Sequence, residues 1–482
     1  MKRTLLCLIV LINAAWARSA GPLPQDIATK LELLSAWIGE QIEYYRIPGL
    51  AIGVLDDQKL LWADGFGYAN AEKKIPMSAA TLCRIASITK TFTATAIMQL
   101  RDQGKLSLDD PVQKHLPWFS IKSRFPDSQP ITVENLLTHS SGLPGEAAFP
   151  YWTDHVFPSK EELIAGLANQ EVLRQPWDGY RYSNLGLAIA GEIVAAAAGE
   201  SYASYVTSHI LQPLHMTASS VILPEAHRSR LAVSYDRLQA DGTRQVLDFP
   251  DCKGLIPAAN ITSCVNDLAK YLALQMRYAD QGDDAVLRGT TLKEMHRIHW
   301  LHDDWSSGYG LGFAVRKRGQ RIMVGHSGWV AGYKSHITFC PTEKIGIIVL
   351  MNCADGNPTT FSYRAYDLLA PLIVKHRPAK PAAAAADPAA WQKYVGRYQD
   401  LSGWQARVMM LGEKLVLYEA SYPPADDPEE GVIDLIPETE HVFRMSGRNG
   451  NGETVRFIID GKGQVQRLYK GENYYVPQGK MK

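Results

Sequence analysis

Ser87 and Lys90 are the two residues whose types and spacing most directly suggest chemistry in this chain. They lie three positions apart at the start of a predicted helix, so their side chains share one helix face. A serine hydroxyl becomes a nucleophile when a neighbouring base takes its proton, and burial lowers the pKa of a lysine enough for this. The alternative is a serine and a lysine on a solvated helix face, and the tetrapeptide alone does not decide between the two.

Two further short motifs supply the other groups that a nucleophilic serine needs. Tyr182-Ser183-Asn184 offers a phenol that can carry a proton and an amide that can bind a substrate amide. His326-Ser327-Gly328 precedes an apolar hairpin, where a glycine lets a substrate backbone approach the edge of a strand. Tyr68-Ala69-Asn70 repeats the tyrosine–asparagine spacing, but it follows a strand in a glycine-rich turn, so we assign it a structural role.

The surrounding pattern predicts how these motifs are positioned. Apolar runs predict strands over residues 50–55, 60–63, 333–340 and 345–351, and periodic segments predict helices over 27–45, 91–101, 183–198 and 258–276. An antiparallel sheet built from the two ends of one domain, with helices between them, accommodates both sets. The predicted fold class is therefore α+β.

Composition changes mark the predicted domain boundaries. Lys2 and Arg3 precede a short apolar run and the small-residue site Ala15-Trp16-Ala17, which predicts a signal peptide over residues 1–17 and an exported protein, secreted or periplasmic. Residues 18–376 form the predicted catalytic domain. The proline- and alanine-rich segment 377–390 is typical of a linker, and 391–482 carries short strand-like runs that predict a small all-β domain.

Charge and cysteine content exclude several classes of function. The 482 residues carry a formal net charge of +0, which argues against a nucleic-acid partner. No apolar segment after the leader is long enough to span a membrane. Cys252 and Cys264 could close a loop as a disulfide, although we favour small buried side chains for most of the cysteines.

Histidines outside the third motif are weaker candidates. His296, His299 and His302 lack the helix-face spacing of a zinc site, and His139 is expected to make a structural hydrogen bond.

The order of the three motifs resembles that of the penicillin-recognising serine hydrolases, in particular the branch of class C β-lactamases, DD-carboxypeptidases, related esterases and D-aminopeptidases. Two segments strengthen the resemblance: the loop at residues 136–144 and the helix end at 99–111. The resemblance covers about residues 31–374 and implies a β-lactamase/transpeptidase-like sheet flanked by helices, with an all-helical subdomain. The all-β tail resembles the small lipocalin-like domain of some of these hydrolases, where it could cover the cleft or mediate self-association into a homo-oligomer.

The resemblance also implies roles for individual residues. Ser87 would form an acyl-enzyme, Lys90 would take or hold its proton, and Tyr182 would pass a proton to the leaving nitrogen. Asn184, His326 and Gly328 would bind substrate, and the backbone N–H groups of Ser87 and Trp329 would form the oxyanion hole. This chemistry requires no metal and no organic cofactor.

His326 is the departure that bears on the substrate. β-Lactamases of this group carry Lys-Thr-Gly at this point, and an imidazole is a weaker anchor for a carboxylate than an ammonium. Histidine occurs there in peptidase and aminopeptidase relatives, so the leading hypothesis is a serine hydrolase acting on peptides with D-residues, of DD-peptidase or D-aminopeptidase type. The alternatives are a class C-like β-lactamase, a carboxylesterase and a penicillin-binding sensor that does not turn over.

Overall fold

A computed structural model describes residues 23–248, 251–278, 286–377, 388–419, 426–427, 429–447 and 449–479. The chain divides into two compact units, Met1–His376 and Arg377–Lys482. The predicted signal peptide lies outside the described residues, as does most of the predicted linker. Within the described part of the chain, no helix has both the length and the apolar character needed to cross a membrane.

The first unit is built on one nine-stranded antiparallel sheet. Its strand order is β3-β2-β1-β13-β12-β11-β10-β9-β8, so strands from the two ends of the unit meet at its centre, as predicted. Two pairs of two-residue strands, β4 with β7 and β5 with β6, lie outside this sheet. The strands of this unit are β1 Gly49–Asp56, β2 Lys59–Asn70, β3 Ile75–Pro76, β4 Cys83–Arg84, β5 Ser234–Tyr235, β6 Val246–Leu247, β7 Thr262–Ser263, β8 Trp300–Leu301, β9 Ser307–Tyr309, β10 Ala314–Arg318, β11 Arg321–Val330, β12 Tyr333–Cys340 and β13 Ile345–Met351.

Helices cover both faces of this sheet and form a large helical region between β4 and β8. They are α1 Gln25–Tyr44, α2 Thr89–Asp102, α3 Val112–His115, α4 Val133–Thr138, α5 Tyr151–Asp154, α6 Lys160–Leu167, α7 Asn184–Ala198, α8 Tyr202–Val206, α9 Ile256–Ala259, α10 Val265–Gln275, α11 Gly289–His296 and α12 Pro358–His376. The helix predicted over 258–276 is wrong as a single element, because Thr262–Ser263 pairs with Cys83–Arg84 and separates α9 from α10. The other three predicted helices are present, and their observed ends differ from the predicted ends by no more than two residues.

The central strand β13 shows why the sheet is stable. Ile345, Ile347 and Val349 pack on one face with α1 and α12, while Ile348 and Leu350 pack on the other face with the helical region. A strand buried on both faces must be apolar throughout, which explains its continuous hydrophobic run. At about 25 cal/mol per Å² of buried apolar surface, each of these side chains contributes about 1.5–3 kcal/mol to folding.

The second unit is a closed antiparallel barrel of eight strands, each paired with the next and the last with the first. Alternate residues fill its interior with apolar side chains, among them Val408, Leu417, Phe443 and Phe457. The predicted all-β tail is thus confirmed, with the up-and-down architecture of lipocalins. Its strands are β14 Gly396–Gln399, β15 Gln405–Leu411, β16 Lys414–Tyr418, β17 Val432–Thr439, β18 Val442–Ser446, β19 Thr454–Ile459, β20 Val465–Lys470 and β21 Asn473–Pro477.

The cysteines behave as small buried side chains. Cys83, Cys252, Cys264, Cys340 and Cys353 are all buried and free, so the disulfide considered between Cys252 and Cys264 is wrong. The Cys252 sulfur instead accepts a hydrogen bond from the buried guanidinium of Arg84 at 2.9 Å.

Candidate active site

Ser87 lies on a strained turn between a strand and a helix. β4 ends at Arg84, a 3₁₀ turn covers Ala86–Ile88, and α2 begins at Thr89. Ala86 has φ of 49°, a left-handed conformation that costs a residue with a side chain about 1–2 kcal/mol. Such strain persists only where the surroundings enforce it, which is common at functional sites.

Lys90 points back from the first turn of α2 to the serine. Its Nζ lies 3.0 Å from Ser87 Oγ, 2.6 Å from Asn184 Oδ1 and 2.9 Å from the carbonyl oxygen of Ala258. The side chain is fully buried, and this desolvation lowers the pKa of the amine to about 7, against a smaller opposing effect of the Glu146 carboxylate. A substantial fraction of Lys90 is therefore a neutral amine near pH 7.

Tyr182 approaches the nucleophile from the segment that precedes α7. Tyr182 and Ser87 line the same cavity, and Lys90 Nζ lies 5.0 Å from the ring centroid of Tyr182. Burial raises the pKa of Tyr182 well above its ordinary value, so the phenol stays protonated. The ring is held in place through the next residue, since the Ser183 backbone N–H donates to His139 Nδ1 at 3.1 Å. The structural hydrogen bond expected of His139 is therefore present.

Asn184, at the start of α7, connects the lysine to an acidic residue. Its Oδ1 accepts from Lys90, and its Nδ2 donates to Glu146 Oε1 at 2.8 Å. The other carboxylate oxygen of Glu146 accepts from the hydroxyl of Tyr151. Both ends of the Asn184 amide are thus engaged, and Lys90, Asn184 and Glu146 form one continuous network.

His326 is neutral and its tautomer is defined by its neighbours. Nδ1 lies 2.6 Å from the Ser327 carbonyl oxygen, which can only accept, so Nδ1 carries the proton. Nε2 then accepts from the hydroxyl of Tyr309 at 2.7 Å. Burial, together with nearby Lys90, lowers the pKa of His326 to about 3. The third motif therefore brings no positive charge to the site.

Gly328 lies against the turn that carries Ser87. A Cβ at this position would clash with the Ile85 carbonyl oxygen and with Ser335 Oγ, and would lie 3.1 Å from Ala86 Cβ. Only glycine allows β11 to pass this close to the nucleophile. The backbone of Gly328 and the following residue Trp329 consequently border the site.

These groups surround one open cavity of about 670 Å³. Its lining includes six of the seven predicted site residues, Ser87, Tyr182, Asn184, His326, Gly328 and Trp329, together with Glu146. A serine with a partly neutral lysine at hydrogen-bond distance and a protonated tyrosine beside it is an arrangement suited to acyl transfer.

Comparison with known proteins agrees with this geometry. The model of the beta-lactamase family matches residues 34–371, which is most of the chain. The chain belongs to the beta-lactamase family. The predicted resemblance and fold class are thereby confirmed.

Several known proteins resemble this member of the beta-lactamase family. "Protein flp" of Staphylococcus aureus is 26% identical over 318 residues, which is 65% of this chain and 61% of that protein. "Beta-lactamase-like protein 2" of Dictyostelium discoideum is 30% identical over 321 residues, 65% of this chain and 58% of its own length. The chain thus spans about three fifths of the length of these curated relatives.

Two solved structures extend the comparison. The octameric penicillin-binding protein homologue from Pyrococcus abyssi has a TM-score of 0.63 and 28% identity, covering 92% of this chain and 99% of that chain. EstCE1, a hydrolase with promiscuous acyltransferase activity, has a TM-score of 0.61 and 22% identity, covering 72% of this chain and 99% of that chain, and shares the fold.

Glu146, whose carboxylate completes the network of this beta-lactamase family site, belongs to none of the three sequence motifs. The available signal was its position two residues after the loop at 136–144, which the resemblance had singled out. Tyr309 is a second such residue: it is buried, and its hydroxyl donates to Nε2 of His326.

Other candidates from the sequence lie outside the site. Asn70 accepts from the backbone N–H of Lys73 in the turn after β2, which agrees with a structural role for the Tyr68 motif. His296 bonds the Tyr278 hydroxyl and Gln275, and His299 pairs with Glu134 at 2.6 Å. These histidines have separate partners.

Proposed function

We propose that the protein is a serine hydrolase that cleaves amide or ester bonds through an acyl-enzyme on Ser87, with peptides containing D-residues as its substrates. The observation that carries this proposal is the environment of Lys90 Nζ. Its neutral amine has two N–H bonds and one lone pair. Asn184 Oδ1 and the Ala258 carbonyl are acceptors and take the two hydrogens, so the lone pair is left for the hydroxyl of Ser87.

The proton balance of acylation follows from these contacts. Ser87 Oγ attacks the carbonyl carbon while its proton passes to Lys90. The C–N or C–O bond then breaks, the leaving group takes a proton from the phenol of Tyr182, and Lys90 returns a proton to the phenolate. Attack of water on the acyl-enzyme repeats the sequence in reverse and regenerates Ser87.

The oxyanion that forms in each step needs hydrogen-bond donors that point at its oxygen. We assign this role to the backbone N–H groups of Ser87 and Trp329, because Ser87 lies in the 3₁₀ turn that leads into α2 and Trp329 follows the glycine that lies against this turn. Loss of one such donor in comparable enzymes costs about 10²–10³ in kcat.

The neutral His326 favours peptides over β-lactams. A β-lactam carries a carboxylate that an ammonium in the third motif would bind, and here that position holds an uncharged imidazole whose Nε2 is already occupied by Tyr309. The D-configuration rests on the family resemblance.

We further propose that the protein is exported and that it assembles with copies of itself. Export rests on the leader-like residues 1–17. Assembly rests on the octameric homologue, whose chain is covered almost completely. Mass measurement by light scattering tests assembly, and N-terminal sequencing of the exported protein tests cleavage after Ala17.

A substrate panel with the Ser87→Ala variant tests the proposed reaction. We expect the wild type to turn over D-aminoacyl amides or a D-Ala-D-Ala peptide and to be labelled covalently by a penicillin probe, and the variant to do neither. Turnover of nitrocefin alone would indicate a β-lactamase, and of a nitrophenyl ester alone a carboxylesterase. Stable labelling without turnover would indicate a sensor.

A further inference from the structure

Glu146 is the one acidic side chain among the described residues that line the active-site cavity. It lies in the loop after α4 and is half-buried. Charged residues at such a position are costly unless they have a partner, and each carboxylate oxygen accepts about two hydrogen bonds. Its contacts therefore show whether the carboxylate already has a positively charged partner.

The protein partners of this carboxylate are neutral. Oε1 accepts from the amide of Asn184 at 2.8 Å, and Oε2 accepts from the hydroxyl of Tyr151. Lys90 acts on it only across space, because the contacts of Lys90 Nζ go to Ser87, Asn184 and Ala258. Among the described residues, no ion pair of Glu146 is found within 4.0 Å.

Lys334 is the one positively charged side chain among the described residues that line the cavity. Lys334 is the cross-strand partner of Trp329, so its side chain lies on the same sheet face as Trp329. Gly328 faces the nucleophile turn from the opposite face of that strand. The end of the cavity that adjoins Ser87 and Asn184 presents a carboxylate, and Lys334 makes no ion pair with it within 4.0 Å.

The acyl half of a substrate has to occupy the end near Asn184. Once the substrate carbonyl carbon is bonded to Ser87 Oγ, the α-nitrogen of an aminoacyl group is only two covalent bonds from that carbon. Ser87 and Asn184 both contact Lys90 Nζ, so this nitrogen lies close to the network that Asn184 forms with Glu146. Asn184 is already engaged at both ends, which leaves the carboxylate to receive the new group.

We propose that Glu146 binds the free α-ammonium of the acyl donor, so that the enzyme acts on the unblocked amino-terminal residue of peptides and on amino acid amides and esters. The inference rests on the proposed acyl-enzyme at Ser87 and selects the aminopeptidase or amidase type over the carboxypeptidase type. An N-acylated substrate would place a neutral amide against the carboxylate and leave its charge unpaired. Glu146 is accordingly a specificity-determining residue.

A matched pair of substrates tests this directly: D-alanine p-nitroanilide with a free amine, and the same compound N-acetylated. We expect wild-type kcat/KM to favour the free amine by about 10-fold or more, as for a charge-assisted hydrogen bond. The preference should decline above about pH 8, where an α-ammonium loses its proton. This measurement needs no variant.

Glu146→Gln removes the charge and keeps the shape. We expect the selectivity ratio between the two substrates to fall by about 10- to 100-fold. Asp154→Asn is the charge-matched control, because Asp154 is exposed on the neighbouring helix α5 and does not line the cavity, and it should leave the ratio unchanged.

The outcomes separate this inference from the proposed reaction. The role of Glu146 would be overturned if Glu146→Gln lost equal activity on both substrates, or if the wild type preferred the acetylated compound. In either case, labelling of Ser87 by a penicillin probe would still support the acyl-enzyme. Absence of both turnover and labelling in the wild type would overturn the two proposals together.

Discussion

Replacing Gly328 with alanine should slow the reaction by displacing the turn that carries Ser87. The added Cβ would meet the Ile85 carbonyl oxygen, Ser335 Oγ and Ala86 Cβ, all at distances inside van der Waals contact. Non-bonded heavy atoms pack at about 3.5–4 Å, so the backbone at residues 85–86 would have to move away by roughly 1 Å. That backbone carries Ser87 directly.

The size of the effect follows from this displacement. A misplacement of about 1 Å in a reacting group costs about 10²-fold in rate, which is about 2.7 kcal/mol in the activation free energy. Overpacking also costs about 1–3 kcal/mol of the free energy of unfolding. We therefore expect kcat/KM on a p-nitrophenyl ester and the rate of labelling by a penicillin probe to fall together, with a modestly lowered Tm.

A second glycine provides the control. Gly39 lies inside α1, and a Cβ there meets nothing within 4 Å. Gly39→Ala should keep full activity and raise stability by about 0.5–1 kcal/mol. If Gly328→Ala folds and keeps kcat/KM within about threefold of the wild type, the close approach of β11 does not position the nucleophile and the reasoning is refuted.

Four further outcomes are expected. Because only neutral Lys90 accepts a proton and its pKa is about 7, kcat/KM should fall about tenfold per pH unit below that value, and a flat profile between pH 5 and 7 would exclude Lys90 as the base. Glu146→Gln should move this acid limb to lower pH, since its carboxylate raises the pKa of Lys90. Tyr182→Phe should lose about 10²–10⁴ in kcat on an anilide and far less on a p-nitrophenyl ester, whose leaving group needs no proton; equal losses would deny Tyr182 the donor role. Burial lowers the pKa of both His326 and His336 to about 3, so between about pH 6.5 and pH 3 the unfolded state binds protons that the native state does not. Stability should fall with decreasing pH by up to about 1.4 kcal/mol per unit for each, and a Tm that His336→Phe leaves equally sensitive to acid would contradict this.

Local patterns in the sequence were enough to predict the parts of the site that lie in short motifs. The proximity of Ser87 and Lys90 is local, because the 3₁₀ turn that holds Ser87 runs directly into α2. The strands at 333–340 and 345–351 have their predicted bounds because an apolar run buried on both faces is unambiguous. The architecture followed from these elements.

Features that depend on distant partners were not predictable in the same way. The importance of Glu146 arises from its contact with Asn184, which is 38 positions away. The break between α9 and α10 arises from pairing with β4, far upstream. The hydroxyl that occupies Nε2 of His326 belongs to Tyr309, which only the β9–β10–β11 pairing brings beside it. In each case the tertiary partner overrides the local pattern.

The pairing of β1 with β13 joins Leu50 to Met351, and it therefore ties together positions about 300 residues apart. Contacts of such long range close late in folding, since the entropy of a large loop has to be lost first. Ser87 lies near the start of this loop and Gly328 near its end, and the two meet in the active site. Recovery of hydrolysis after dilution from denaturant should accordingly lag behind recovery of helical circular dichroism, which makes enzymatic activity a readout of the last step in assembling this domain.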